Sequence, residues 1–446
     1  MDAVLLARLQ FTLTIMFHYI YPSMTIGLSW LIFVMMTGWA FTGRDVYRVM
    51  ARFWVKVFAL GFAVGVASGA VMEFEFGTNW AAYARFVGDI FGAPLAAEGV
   101  ISFFLESTFL GMLLFGWDRF SPKVHWFASG MVAVGAATSA FWIVVANSWQ
   151  QTPTGYRIVD GKAQLTDFWQ AVFNPTTVPR FAHVITGSIL VASFFMVSVS
   201  AFWLLRRRHE AFARRSMALG MVAACAFAYA QLGFGHWQGV RVERTQPLKL
   251  AAVEGLFETT KGAPLLAFGW PEPAADRTRF QLGVPKLLSL MTRGDANAEI
   301  RGLKAFPRED WPPVRLSFFS FHLMVALGGF FLAYTAAGVF LLARGTLYDN
   351  RPFLWTAVLA VPLPFVADHL GWVAAEVGRQ PWIVYGLLRT RDAISPAVPA
   401  GQILASLILF AGIYLLLFCL WLFLLTRKIT TGPEDLPAPP PGRRVV

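Results

Sequence analysis

The sequence predicts an all-α fold: a polytopic transmembrane bundle of about nine spans, with the N-terminus outside and the C-terminus inside. Three observations predict it. Of the 446 residues, 57% are hydrophobic and only 14% charged, a balance foreign to soluble globules of this size. Apolar runs of about 20 residues or more, enough to cross a ~30 Å hydrocarbon core as helix, recur along the chain. Basic residues gather in alternate connecting segments, as the positive-inside rule requires.

The runs lie at roughly 9–40, 52–78, 95–117, 125–147, 181–205, 216–234, 316–343, 352–373 and 402–426. The first starts too late, runs too long and lacks a small-residue cleavage site, so it reads as a retained span and not a signal peptide. With the N-terminus outside, the inner segments hold seventeen of the 37 lysines and arginines and the short outer ones eight. The clearest inner marker is Arg206-Arg207-Arg208 with Arg214 and Arg215. The remaining twelve fall in residues 235–315, an outer loop too long for the rule to weigh heavily. The net charge of +11 is therefore a statement about sidedness, not about nucleic acid.

Four regions follow. Residues 1–234 hold the first six spans, 235–315 the long outer loop, 316–426 the last three spans, and 427–446 a proline-rich tail expected to be disordered on the cytoplasmic side. Cys225 and Cys419 both fall within spans and read as packing residues, far from any disulfide framework.

Ionisable groups are costly in hydrocarbon, so each one inside a span is a functional candidate. They are His18 on the first span, Glu98 and Glu106 on the third, His183 on the fifth, His322 with Met324 on the seventh, and Asp368, His369 and Glu376 on the eighth. All but Glu106 fall within about 15 Å of the outer surface at 1.5 Å per residue. Each alone has a plain reading: a lone intramembrane histidine is commonly a helix–helix hydrogen-bond partner, a lone methionine core filler, and Glu376 a snorkelling carboxylate. Their convergence at one depth, in a chain with 17 Trp and 42 Phe, points instead to haem. Histidine and methionine are its usual axial ligands, and its macrocycle needs apolar walls. Zinc prefers a tighter, more polar cluster. Two readings are open at this point: a haem b electron-transfer membrane anchor and a non-enzymatic membrane carrier. The anchor commonly pairs histidines 13 or 14 residues apart on one helix, and His183 has none at 196 or 197.

These residues sit in motifs that carry a family resemblance over nearly the whole chain, from Arg8 to about Thr426. The most specific is residues 371–390, GWVAAEVGRQPWIVYGLLRT. The others are 72–80 (MEFEFGTNW), 91–98 (FGAPLAAE), 103–107 (FFLES) and 246–254 (QPLKLAAVE). Together they resemble subunit I of the cytochrome bd quinol oxidases, on the branch with a short quinol loop that is insensitive to cyanide.

The resemblance implies a copper-free, non-pumping but electrogenic quinol:oxygen oxidoreductase of the bacterial inner membrane. It implies two haem b and one haem d, with haem b as the alternative at the oxygen site. His183 and Met324 match the axial pair of the low-spin haem b, while His18 and Glu376 match ligands of the two high-spin haems, in an order left open. Glu98 matches a carboxylate beside the oxygen-reducing haem, and Glu106 with Ser107 the proton-conducting positions. Trp372 matches an aromatic between haems and Arg379 a propionate partner. Lys249 and Glu254 match quinol-binding residues, although without the motif they read as a solvated charge couple. His322 stands where many members have arginine, near the low-spin haem propionates. The implied partners are membrane quinol, oxygen and a second multi-span subunit, with a small single-span subunit as an addition.

Overall fold

The structure is a computed structural model that describes residues 2–434. Nine stretches among the described residues are long and apolar enough to cross a membrane, in the order read from the sequence. The first two are α1 (Ala3–Thr42) and α2 (Asp45–Thr78). The third is broken: α3 (Ala81–Ala97), a π-helical turn (Glu98–Ser102) and α4 (Phe103–Phe115). It starts well before the expected 95, because Arg85 and Asp89 interrupt the apolar run without interrupting the helix. Next come α5 (Pro122–Gln151), the hairpin β1 (Tyr156–Val159) and β2 (Lys162–Leu165), the short α6 (Phe168–Val172), then α7 (Thr177–Leu205) and α8 (Glu210–Thr245).

Helix α8 runs eleven residues past the expected end of its span, so the polar stretch from Gln238 is helical rather than the opening of a loop. The remainder of the 235–315 region is a compact subdomain. It holds α9 (Pro247–Val253), β3 (Thr260–Lys261), a hairpin of β4 (Leu265–Glu272) and β5 (Arg277–Val284), α10 (Leu287–Arg293) and β6 (Glu299–Ile300), which pairs with β3. Then follow α11 (Val314–Ala343), α12 (Arg351–Leu359) and α13 (Pro362–Val377), the short β7 (Trp382–Val384) and β8 (Leu388–Arg389), and α14 (Ala400–Thr431). Pro362 and Pro364 separate α12 from α13, since a proline ring cannot extend a helix through its preceding turn.

Helix α7 is the hub. Its membrane-crossing window is 89% buried, whereas those of α11 and α14 are 17% and 11% buried and present apolar side chains outward. Close approach at the hub needs glycine: a Cβ on Gly27 of α1 would lie 2.1 Å from the Ser188 carbonyl oxygen of α7. The largest apolar cluster, around Trp54, Met35, Met196 and Trp203, joins α1, α2, α7 and α8. Residues 427–431, expected in the tail, continue α14, and residues 435–446 lie outside the described residues. Cys225 is half-buried as expected of packing, while Cys419 faces outward from α14.

Candidate functional site

The sequence-predicted residues gather in two compartments and a polar bridge between them and the outer loop. In the first compartment, α1 and α2 bring His18 beside Ser68 and Gly69. The His18 Nδ1 lies 3.0 Å from Ser68 Oγ. Because the Ser68 hydroxyl donates to the Val64 carbonyl at 2.8 Å, it accepts from His18, which places the imidazole lone pair on Nε2. Gly69 leaves no side chain between α2 and the ring: a Cβ there would sit 3.1 Å from His18 Cε1. Across from His18, Tyr19 meets Trp372 of α13 edge to face at 5.4 Å, and His369 is tied to the α1 backbone by its Nε2 and the Met16 carbonyl at 2.8 Å.

The second compartment lies among α7, α8, α11 and α13. His183 of α7 faces Gly235 of α8, where a Cβ would come within 3.4 Å of its Cε1. Met324 of α11 faces Gly371 of α13, where a Cβ would come within 2.9 Å of its sulfur. The Gln231 amide stands 3.2 Å from His183 Nε2 and donates to it, while the buried Nδ1 has no hydrogen-bond partner. Asp368 points at Gly187 of α7, and its Oδ2 is likewise buried and unpartnered.

The bridge runs through residues that sequence reasoning missed. Glu376 accepts from Asn147 and Gln151 of α5 at 3.0 Å each through Oε1, and from Arg379 at 2.5 Å through Oε2. The Gln151 carboxamide oxygen also accepts from Lys249 Nζ, and its backbone carbonyl accepts from Gln246 at 2.9 Å. One glutamine thus joins the outer loop to the eighth span. Its sequence signal is a polar amide pair, Gln150-Gln151, closing a membrane-spanning helix.

Lys249 and Glu254 are each 4% exposed, which overturns the plain reading of a solvated couple. No ion pair joins them among the described residues. Burial, with the Arg180 cation nearby, holds the Lys249 amine well below the usual lysine range. Burial alone pushes the Glu254 carboxyl up to about 8, and its Oε2 has no partner.

Around the π-helical turn, Glu98 accepts from Ser139 of α5 at 2.9 Å, and Glu106 is buried one helical stretch further along against Gly135. Ser107, next to Glu106, donates its hydroxyl to the Phe103 carbonyl of its own helix at 2.7 Å, and Ser139 is the hydroxyl bonded to Glu98. His322 places its two ring nitrogens 2.9 and 3.1 Å from the Phe318 and Leu266 carbonyls, and a neutral ring donates to one of them.

The residues fit haem. No group of three or more His, Cys, Asp or Glu among the described residues could hold a bare metal ion, whereas an iron already held by a macrocycle needs only one or two axial donors from protein. His18 offers a free Nε2 as it stands, and His183 offers one once Gln231 turns aside. The buried Nε atoms of Arg180 and Arg379 lack partners and suit carboxylate side arms.

The chain matches the family model of cytochrome bd terminal oxidase subunit I over residues 6–433. It is similar to cytochrome bd ubiquinol oxidase subunit 1 of Bacillus subtilis (strain 168), 38% identical with 97% of this chain and 95% of that one covered. Cytochrome bd-II ubiquinol oxidase subunit 1 of Escherichia coli (strain K12) is 33% identical, with 99% of each chain covered. Among solved structures, the bd oxidase from Geobacillus thermodenitrificans matches with a TM-score of 0.91 at 30% identity, over 97% of this chain and 99% of that one. The chain belongs to the cytochrome bd terminal oxidase subunit I family, the haem-dependent catalytic subunits of quinol:oxygen oxidoreductases that span the bacterial inner membrane many times and work with a subunit II.

Proposed function

We propose that this chain oxidises membrane quinol at the outer face, within the 235–315 subdomain, and reduces oxygen to water with protons taken from the cytoplasm. The observation that carries this reading is the Lys249–Gln151–Glu376 bridge, which connects a quinol-type site to a haem-type site through one side chain. Haem, when bound, supplies the iron that exchanges electrons with quinol and oxygen; all other roles fall to the protein.

His183 with Met324 holds the low-spin haem b, and His18 and Glu376 hold the two high-spin haems, two haem b and one haem d in all, with haem b as the alternative at the oxygen site. Arg379 pairs with Glu376 by a direct contact, and Trp372, edge to face with Tyr19, stands between the haems. In the loop, Lys249 orients a quinol oxygen and Glu254 takes its proton, to be released outside. Glu106 and Glu98, with the hydroxyls of Ser107 on their own span and Ser139 of α5 opposite, form the inward proton route: Glu106 is buried and Glu98 accepts from Ser139. Quinol protons leave on one side and oxygen's protons enter from the other, so charge separation follows from placement without a pump. The N-terminus lies outside and the C-terminus inside, which the basic inner loops support. Subunit II, and a small single-span subunit beside it, complete the assembly.

The test is quinol-driven oxygen uptake by membranes enriched in this protein, together with a reduced-minus-oxidised spectrum of the purified complex. Uptake without cytochrome c and haem b bands are expected, and red bands in the haem d region decide the oxygen site. A colourless protein, or no uptake with any quinol, overturns the reading.

A further inference from the structure

We propose that the β4–β5 hairpin is seated in the membrane, its apolar face lying in the interfacial zone of the lipid bilayer and not in water or against a protein. This rests on the chain spanning a membrane and is independent of where quinol binds. The hairpin lies along the first turns of α11. The Leu266 carbonyl meets His322 at 3.1 Å, a Cβ on Gly269 would come within 3.2 Å of the Phe318 ring, and Arg315 donates to the Pro271 carbonyl at 3.0 Å. As β4 advances from 266 to 271, its partners retreat from 322 to 315, about 10 Å along the helix at 1.5 Å per residue. The Leu266 end is therefore the deep end, and the turn at 273–276 is the shallow one.

Polarity follows that depth. At the deep end Leu265 pairs with Val284 and Phe268 with Leu282, and Phe268, Leu282 and Val284 are 50%, 68% and 55% exposed. At the shallow end Glu272 is bridged by Arg277 and Arg279 at 3.3 and 2.7 Å, and Asp276 by Arg308 at 2.8 Å. Between them Trp270 packs on Phe319 of α11 at 5.2 Å, where an interfacial tryptophan belongs. Helix α11 beside it also presents apolar side chains outward, with Leu323 and Val325 each 53% exposed. An unpaired strand edge is excluded from hydrocarbon unless its backbone groups find partners. At the Leu266 carbonyl, near the deep end, the His322 ring is such a partner at 3.1 Å, which gives this histidine a positioning role beside the one the family resemblance implied.

The experiment places the photoreactive residue p-benzoylphenylalanine at Leu282, and separately at Phe268, in the complete oxidase reconstituted into vesicles of phosphatidylethanolamine and phosphatidylglycerol. Leu420, 50% exposed on α14, serves as the in-membrane reference. After irradiation, mass spectrometry of the chain is expected to show a one-phospholipid adduct at 282 within about threefold of the yield at 420. An unchanged haem spectrum checks assembly, and the Phe268 position carries the test should the 282 variant not assemble. Crosslinks to subunit II or to a second copy, or the absence of any lipid adduct, overturn the proposal.

Discussion

The His18 imidazole and the Ser68 hydroxyl meet at 3.0 Å, and the direction of that hydrogen bond decides which ring nitrogen is free. Ser68 has committed its proton to Val64, so Nδ1 carries the histidine proton and Nε2 the lone pair. Such partners fix the tautomer and aim of a ligating histidine, and losing one typically costs 10–100-fold in metal affinity. Ser68→Ala is expected to lower high-spin haem retention by about tenfold in that sense, read by pyridine haemochrome content after washing, with the low-spin signal retained. Full retention would remove Ser68 from the ligand's support.

For the second compartment, two substitutions should converge on one spectrum. Met324→Leu conserves volume and costs the fold less than about 1.5 kcal/mol, but removes a strong-field axial donor. Gly371→Ala leaves Met324 in place yet sets a Cβ 2.9 Å from its sulfur, so the thioether must move. Both variants are expected to weaken the low-spin signal and lower its potential, since Met/His ligation favours reduced iron. The oxygen site should stay spectrally unchanged. An unaltered low-spin spectrum in both would leave His183 without its proposed partner.

The nine spans were legible because hydropathy over twenty residues is a long-range average that local exceptions hardly disturb. Their ends were not. Gln238–Thr245 reads as loop, yet α8 continues through it, with Glu243 buried against Arg293 of α10 at 2.6 Å. Tertiary packing supplies what the polar sequence withholds. The haem- and quinol-type residues were legible as ionisable groups in hydrocarbon and as motif positions. Ser68, Ser139, Asn147 and Gln151 were not, since small polar side chains within a span carry no compositional signal and acquire meaning only from the helix opposite. Ser107 shows the converse: a motif position whose hydroxyl turns back on its own helix.

Glu254 gives a pH dependence whose sign can be stated. Burial pushes its carboxyl from 4.5 up to about 8, so it is protonated at neutral pH and ionises as pH rises through 8. A proton acceptor works in its ionised form, so quinol-driven oxygen uptake should climb between pH 7 and 9, and Glu254→Gln should abolish the climb. Stability moves oppositely. The folded state holds this proton more tightly than the unfolded one, so the contribution declines as pH rises from 4.5 to about 8. Thermal unfolding of Glu254→Gln should lack that decline.

The inward proton route separates Glu106 from Ser107, which one motif places side by side, and adds Ser139 of α5. Glu106 is 7% exposed and packs against Gly135 of α5, with no ion-pair partner among the described residues, and a buried carboxyl of that kind is retained only at a cost. Glu106→Leu is therefore expected to slow oxygen reduction by about a hundredfold or more, the scale of losing a positioned proton-transfer group, at unchanged quinol affinity. Ser139→Ala removes the hydroxyl 2.9 Å from Glu98 and should slow the same step more mildly. Ser107→Ala removes a hydroxyl bonded to its own helix and should slow it least of the three. Single-turnover oxygen reduction in prereduced enzyme isolates this step from quinol oxidation. Equal slowing in the Ser107 and Ser139 variants would show that the hydroxyl orientations seen in the structure do not describe the working route, and normal rates in Glu106→Leu would close that route altogether.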